Sequence, residues 1–285
     1  MQALLMVNAR SRRGQASIYP LRRMLAALGI ATIEASACDE ASATKAIEDA
    51  GTQVDCVIVG GGDGTIISTI PGLIASKLPL GIIPLGTFNE LARTLELPME
   101  TQAACARIAV GVVRTIDVAR VNGVYFVNEA SIGVSSRIAR LQTSQNKQRF
   151  GFLNVLVTSL QALRGSYPFH VEIEYDGKVE RFKTIQLTIA NSHRFGGFIT
   201  NDTAAIDDGQ LDLYSVDIAH WFQAVPIAWK LMRRSAEPVP GLRLRRSPRF
   251  IVRTRRPHHV SADAEPAGYS PAQFEVLPGA LSVYA

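Results

Sequence analysis

An apolar run, Val57-Ile58-Val59, leads directly into Gly60-Gly61-Gly62-Asp63-Gly64-Thr65. Consecutive glycines remove every Cβ from a turn, so backbone amides can close on a bulky anion such as a phosphate. Thr65 adds a hydroxyl donor at the start of the helical pattern that follows. Asp63 would repel a phosphate that it touched. Its presence makes sense across a cation, or as the holder of a water or a neighbouring loop. The turn is not a Walker loop, because no Gly-Lys-Ser/Thr follows, and it lacks the Gly-x-Gly-x-x-Gly dinucleotide spacing. A second turn, Pro84-Leu85-Gly86-Thr87-Phe88-Asn89-Glu90, also ends an apolar run and opens a helical one. In a parallel sheet both turns leave the carboxyl ends of strands, where such sheets bind ligands. Two polar glycine turns on one edge imply a shared cleft.

Other residues that could do chemistry lie further along. Ile206-Asp207-Asp208-Gly209-Gln210 offers a carboxylate and bent backbone oxygens, the hard donors that Mg²⁺ takes, and reads equally as an ordinary turn between strands. Glu265 is, on its own, one carboxylate in a polar stretch. The five histidines, His170, His193, His220, His258 and His259, show no zinc spacing backed by a further ligand. Cys38, Cys56 and Cys105 sit in apolar periodic segments and read as small core residues of a reducing compartment.

The elements that must position these residues follow from hydrophobic periodicity. Up to residue 118 strand-like and helical segments alternate: strands at Ala3–Val7, Ile30–Ala35, Asp55–Val59 and Leu80–Pro84, and helices at Ala16–Leu28, Ala41–Ala50, Thr65–Ala75, Thr87–Thr94 and Thr101–Val110. This alternation predicts a parallel sheet with right-handed crossovers and helices on both faces. Beyond that point β-rich runs dominate. Asn122-Gly123 and Asp176-Gly177 sit between such runs and signal hairpins. Further strands are expected at Leu211–Val216, Leu242–Leu244, Arg249–Thr254, Gln273–Val276 and Leu281–Tyr284, with helical spacing only in Arg137–Leu163 and His220–Arg234. The fold expected is an α/β domain over residues 1–118 followed by a mainly antiparallel β-sandwich over 119–285.

Charge and hydropathy bound the setting. From Lys230 to Arg256 ten Lys and Arg face one acidic residue, so that segment carries +9 and the remainder −4 of a net +5. A basic patch on a mildly acidic body attracts anionic surfaces. Its prolines, Pro238, Pro240, Pro248 and Pro257, and the lack of a recognition helix argue against nucleic acid. Trp221, Phe222 and Trp229 beside it could dock at a membrane interface or pack in a core. No window reaches the ~18 apolar residues of a membrane span, and the first residues lack a signal-peptide pattern. A cytoplasmic protein with peripheral contact to anionic membrane is expected.

Taken together, Gly61-Gly62-Asp63-Gly64-Thr65, Pro84-Leu85-Gly86-Thr87-x-Asn89-Glu90-x-Ala92-Arg93, Ile206-Asp207-Asp208-Gly209-Gln210-Leu211-Asp212 and the closing Val260–Pro266 with Phe274-Glu-Val-Leu-Pro-Gly-Ala-Leu281 resemble the catalytic domain of diacylglycerol kinases and their bacterial lipid-kinase relatives. The opening Val7-Asn8 with Ser11 and Gly14 matches the family's first strand and turn, with Ala9 in place of its proline. The resemblance implies an ATP-dependent kinase that phosphorylates the hydroxyl of diacylglycerol or a similar lipid alcohol, with ATP and Mg²⁺ as cofactors. It assigns Gly61, Gly62, Asp63, Gly64, Thr65, Ile66 and Ile67 to the nucleotide-phosphate loop, with Gly86, Thr87 and Asn89 as further nucleotide contacts. Asp63 would belong to the acidic network around Mg-ATP, with Glu90 where relatives usually carry aspartate. Asp208 and the backbone carbonyls of Ala205 and Gln210 would hold a structural magnesium, and Glu265 would be the base that takes the substrate's proton. Ala264 stands where the family's Asp-Gly-Glu triplet has glycine, Ile67-Ser68 where relatives often show Asn-Glu, Asp202 where a proline is usual and Ala37 near a common threonine. Two other readings stay open: an NAD kinase, which shares the Gly-Gly-Asp-Gly-Thr loop, and a non-catalytic nucleotide- or lipid-binding protein of the same fold. The acceptor lipid and the oligomeric state are left open.

Overall fold

The computed structural model describes residues 1–7, 12–36, 39–134, 167–192, 194–195, 199–200, 205–218, 223 and 240–285. The chain forms two compact units, Met1–Val118 with Leu277–Ala285, and Ala119–Val276.

In the first unit β1 (Gln2–Val7), β2 (Ala31–Ser36), β3 (Cys56–Gly61) and β4 (Leu80–Pro84) pair in parallel in the order β2-β1-β3-β4. Strands buried on both faces need continuous apolar runs, and β1, β3 and β4 are buried almost throughout. Their side chains split by parity. Ala3, Leu5, Val7, Cys56, Ile58 and Ile83 join one core cluster with Leu21 and Leu25 of α1 (Arg12–Ala27) and Cys105 and Ile108 of α6 (Thr101–Val110). The opposite set, Leu4, Met6, Val57, Val59, Leu80 and Ile82, is equally buried. It is the face left for α2 (Glu40–Ala50) and α4 (Ile70–Ser76), which pack on each other where Gly72 meets Thr44 and Ile47. Each such apolar side chain removed from water contributes about 1.5–3 kcal/mol.

Two details differ from the sequence reading. The expected helix Thr65–Ala75 is two helices, α3 (Asp63–Ile67) and α4, because Pro71 lacks an N–H and is accommodated only in the first turn of a new helix. The expected helix from Thr87 begins only at Glu90, as α5 (Glu90–Thr94), because Asn89 takes φ 49°.

The second unit is an antiparallel sandwich. It holds β6 (Val124–Phe126), β7 (Glu129–Gly133), β8 (Phe169–Tyr175), β9 (Lys178–Thr184), β10 (Gln186–Ala190), two short strands, β11 (Arg194–Phe195) and β12 (Ile199–Thr200), then β13 (Leu211–Val216), β14 (Leu242–Ser247), β15 (Arg249–Thr254), β16 (His259–Ala262) and β17 (Glu265–Tyr269). One sheet runs β14-β13-β10-β7-β16-β17. The other joins β8, β9 and β15 to the first half of β18 (Ala272–Tyr284). Inward residues of both, including Ile132, Ile189, Leu213 and Val260 from the first and Val171, Ile173, Phe250 and Phe274 from the second, form one core. Asn122-Gly123, which closes β6 onto β5 (Val113–Val121), and Asp176-Gly177 take φ > 0 at both residues, as two-residue hairpin loops require.

The β-rich run that follows Asp176-Gly177 divides at Ile185, where the chain leaves one sheet for the other. The two strands expected near the C-terminus are one, β18. Its last residues lie with the first unit, where Val283 pairs with Leu80, rather than with the β-rich part. The helical segments expected at 137–163 and 220–234, together with Trp221, Phe222 and Trp229, lie outside the described residues. No helix among the described residues is long and apolar enough to cross a membrane.

Much of the basic run is paired within its own unit. Arg243 bonds Glu180 and Asp217, Arg245 bonds Glu180, Arg246 bonds Asp208, and Arg253 bonds Glu174 at 2.8 Å.

Candidate active site

The strand order places a topological switch point between β1 and β3, because the connections leaving them go to opposite sides. The glycine turn lies at the carboxyl end of β3, beside that point, and the Gly86 turn follows the next strand. The Leu85 N–H donates to the Gly61 carbonyl at 2.9 Å and ties the turns together.

The glycines are required by close approach, since Gly60 to Gly64 and Gly86 all keep ordinary φ values. A Cβ on Gly86 would collide with the Gly62 Cα and lie 2.7 Å from Asn89 Oδ1, and one on Gly62 would come 3.1 Å from the Gly86 Cα. A Cβ on Gly61 would strike the Thr65 side chain at 2.7 Å. Gly64 is the exception: it is exposed and a Cβ there would meet nothing within 4 Å. The fold therefore uses Gly61, Gly62 and Gly86 for packing and leaves the surface at Gly64 open.

Asp63 fills one of the roles open to its charge. Its Oδ1 accepts the Leu91 N–H at 3.2 Å, so the carboxylate holds the neighbouring turn by capping α5. Asn89 is buried and closes the second turn on itself, its Oδ1 accepting the Gly86 N–H at 2.9 Å and its Nδ2 donating to the Gly86 carbonyl at 3.0 Å. Its amide is spent inside the protein. Ile66 points into the core and Thr65 is largely buried, and both N–H groups donate to the Gly62 carbonyl, at 3.1 Å and 3.0 Å. Thr87 and Phe88 are exposed, and Gly62, Asp63, Ile67, Gly86 and Glu90 half-buried. Asp63 and Glu90 give the turns two half-buried carboxylates, oxygen donors of the kind a divalent cation takes.

Glu265 is in the second unit, exposed, at the start of the edge strand β17. It pairs with Ala262 across the two-residue loop Asp263-Ala264, whose φ values are 44° and 68°. The alanine in the expected Asp-Gly-Glu triplet thus occupies a left-handed position, which strains it by about 1 kcal/mol relative to glycine. The Asp263 carboxylate holds the loop in place. It accepts the N–H groups of Val127 at 2.7 Å, Asn128 at 3.1 Å and Glu129 at 3.0 Å, while the Asp263 N–H donates to the Glu129 carbonyl at 2.8 Å. Sequence reasoning passed over both Asp263 in this role and Asn128, which is 2 % exposed and whose Oδ1 meets no partner among the described residues. Only a contact across more than 130 residues reveals them.

Asp208 stands apart from Glu265, before β13, near the opposite edge of the same sheet. Its oxygens accept the Ala205 N–H at 2.8 Å and the Gln210 N–H at 2.9 Å, and Arg246 forms an ion pair with it. A carboxylate closed by its own turn and a guanidinium does not fit the structural magnesium expected there. Asn8, Ala9, Ser11, Ala37, His193 and Asp202 lie outside the described residues.

These turns and this sandwich have relatives. Residues 2–121 match the diacylglycerol kinase catalytic domain, and residues 128–285 match the YegS C-terminal NAD kinase beta sandwich-like domain. A diacylglycerol kinase of Bacillus subtilis is 30 % identical over 84 % of this chain and 80 % of its own. One of Staphylococcus saprophyticus is 26 % identical over 86 % and 84 %. The crystal structure of a diacylglycerol kinase from Bacillus anthracis superposes with a TM-score of 0.80 at 26 % identity, covering 99 % of this chain and 96 % of that one. The chain belongs to the diacylglycerol kinase family of lipid kinases, and it is a phosphotransferase.

Proposed function

We propose that the chain transfers the γ-phosphate of ATP to the hydroxyl of a lipid alcohol such as diacylglycerol. The observation that carries this is the pair of interlocked glycine turns at the switch point, whose glycines pack so tightly that Gly64 alone among them has open space beside its Cα. The loop from Gly61 to Ile67 meets the phosphates through the amides of its first turn, Gly62 to Gly64, because those of Thr65 and Ile66 already donate to the Gly62 carbonyl, with Gly86, Thr87 and Asn89 shaping the second wall. Phosphoryl transfer asks mainly for positioning and charge neutralisation. Mg²⁺ arriving with the nucleotide supplies the neutralising charge, and Asp63 and Glu90 are the carboxylates that would hold it. Glu265 accepts the proton as the lipid oxygen attacks, since an alcohol whose pKa lies far above 7 needs a base at that moment. Asp263 acts as a positioning residue by fixing the loop before Glu265. Peripheral contact with anionic membrane would bring the enzyme to its acceptor.

Labelled ATP incubated with a panel of lipid alcohols in mixed micelles, with NAD as a competing acceptor, tests this reading. Label on a lipid supports it. Label on NAD alone, or on neither acceptor despite ATP binding, rejects it.

A further inference from the structure

The turn that family resemblance gives to magnesium already has a counter-charge from its own unit. Arg246 lies opposite Asp212 in the β13–β14 ladder, its Nε 4.0 Å from Asp212 Oδ1, while its Nη2 pairs with Asp208. Asp212 is 5 % exposed. Burial raises its pKa most, Arg246 opposes that rise, and the charge on Asp208 adds to it. Two carboxylates that repel each other therefore share one guanidinium, which can serve both with its fork of donors. A divalent ion at Asp208 would have to expel Arg246 or sit against it, at the cost of like-charge repulsion.

We propose that Arg246 is a covalently tethered substitute for the structural cation: it neutralises Asp208 and Asp212, and the β-rich unit keeps its fold with no divalent ion bound there. Magnesium is then required only with the nucleotide. The inference does not rest on the kinase reading, because it concerns stability in the absence of ATP.

Thermal unfolding of the full chain without nucleotide, in EDTA and across a MgCl₂ titration, provides the test. Wild type and Asp208→Asn should show the same Mg²⁺ response. Arg246→Met should melt roughly 3–6 °C below Arg246→Lys in EDTA. It should recover part of that loss as Mg²⁺ rises, by mass action on the carboxylates that have lost their guanidinium. A saturable Mg²⁺-induced rise in wild type that exceeds that of Asp208→Asn would overturn the proposal. So would an Arg246→Met variant as stable in EDTA as Arg246→Lys. If Arg246→Met does not fold, the comparison of wild type with Asp208→Asn still decides.

Discussion

At the scale of single residues, the two glycine turns and the Glu265 hairpin show that one residue type can serve opposite ends. Gly86 is fixed by the backbone of Gly62, so Gly86→Ala must push the turns apart and should destabilise the first unit by about 2 kcal/mol. Gly64 has space for a methyl group and an ordinary φ. Gly64→Ala should leave the melting temperature nearly unchanged while weakening ATP binding at least tenfold, read by titration calorimetry. Unaltered binding would place the phosphates elsewhere. Ala264 sits at φ 68° in a loop whose two counterparts, Asn122-Gly123 and Asp176-Gly177, carry glycine at the equivalent position. Ala264→Gly should therefore stabilise the protein by about 1 kcal/mol, measured by denaturant unfolding, with turnover retained.

At the scale of elements, what was legible depended on whether a local signal existed. Strands β1, β3 and β4, and both Asn-Gly and Asp-Gly hairpins, follow from apolar runs and turn residues that act within a few positions. The hairpin that presents Glu265 has the same geometry, but alanine in place of glycine erased its signal, and the clamp of Asp263 on residues 127–129 is a tertiary contact that no local pattern encodes. The break at Pro71 was readable and was overridden by the helical spacing around it. Similarly, the strands expected at Gln273–Val276 and Leu281–Tyr284 are one, and β18 runs through Pro278-Gly279 between them. The basic run shows the same limit. Composition gave its charge, but only the fold reveals that Arg243 and Arg245 converge on Glu180, with Arg245 Nε at 2.6 Å. Those hydrogen bonds, Arg245 foremost, hold the Glu180 carboxyl down at about 2. A depressed carboxylate stabilises the fold above its ordinary value and loses that contribution as pH falls from about 4.5 towards 2. Wild type should thus lose thermal stability through that window more steeply than Glu180→Gln. Parallel acid profiles would mean that the cluster contributes nothing.

At the scale of the molecule, the chain of this lipid kinase holds its features in two units. The α/β unit carries two interlocked glycine turns at a switch point, and the β-rich unit carries the Glu265 hairpin pinned by Asp263 and a set of arginines paired with carboxylates of their own unit. The most direct test is γ-phosphate transfer from Mg-ATP to a diacylglycerol in mixed micelles by wild type and Glu265→Gln, with ATP affinity measured on both proteins. The account predicts transfer by wild type, a loss of about 10²–10⁴-fold in the variant, and unchanged ATP affinity. Equal turnover by the two proteins would contradict it.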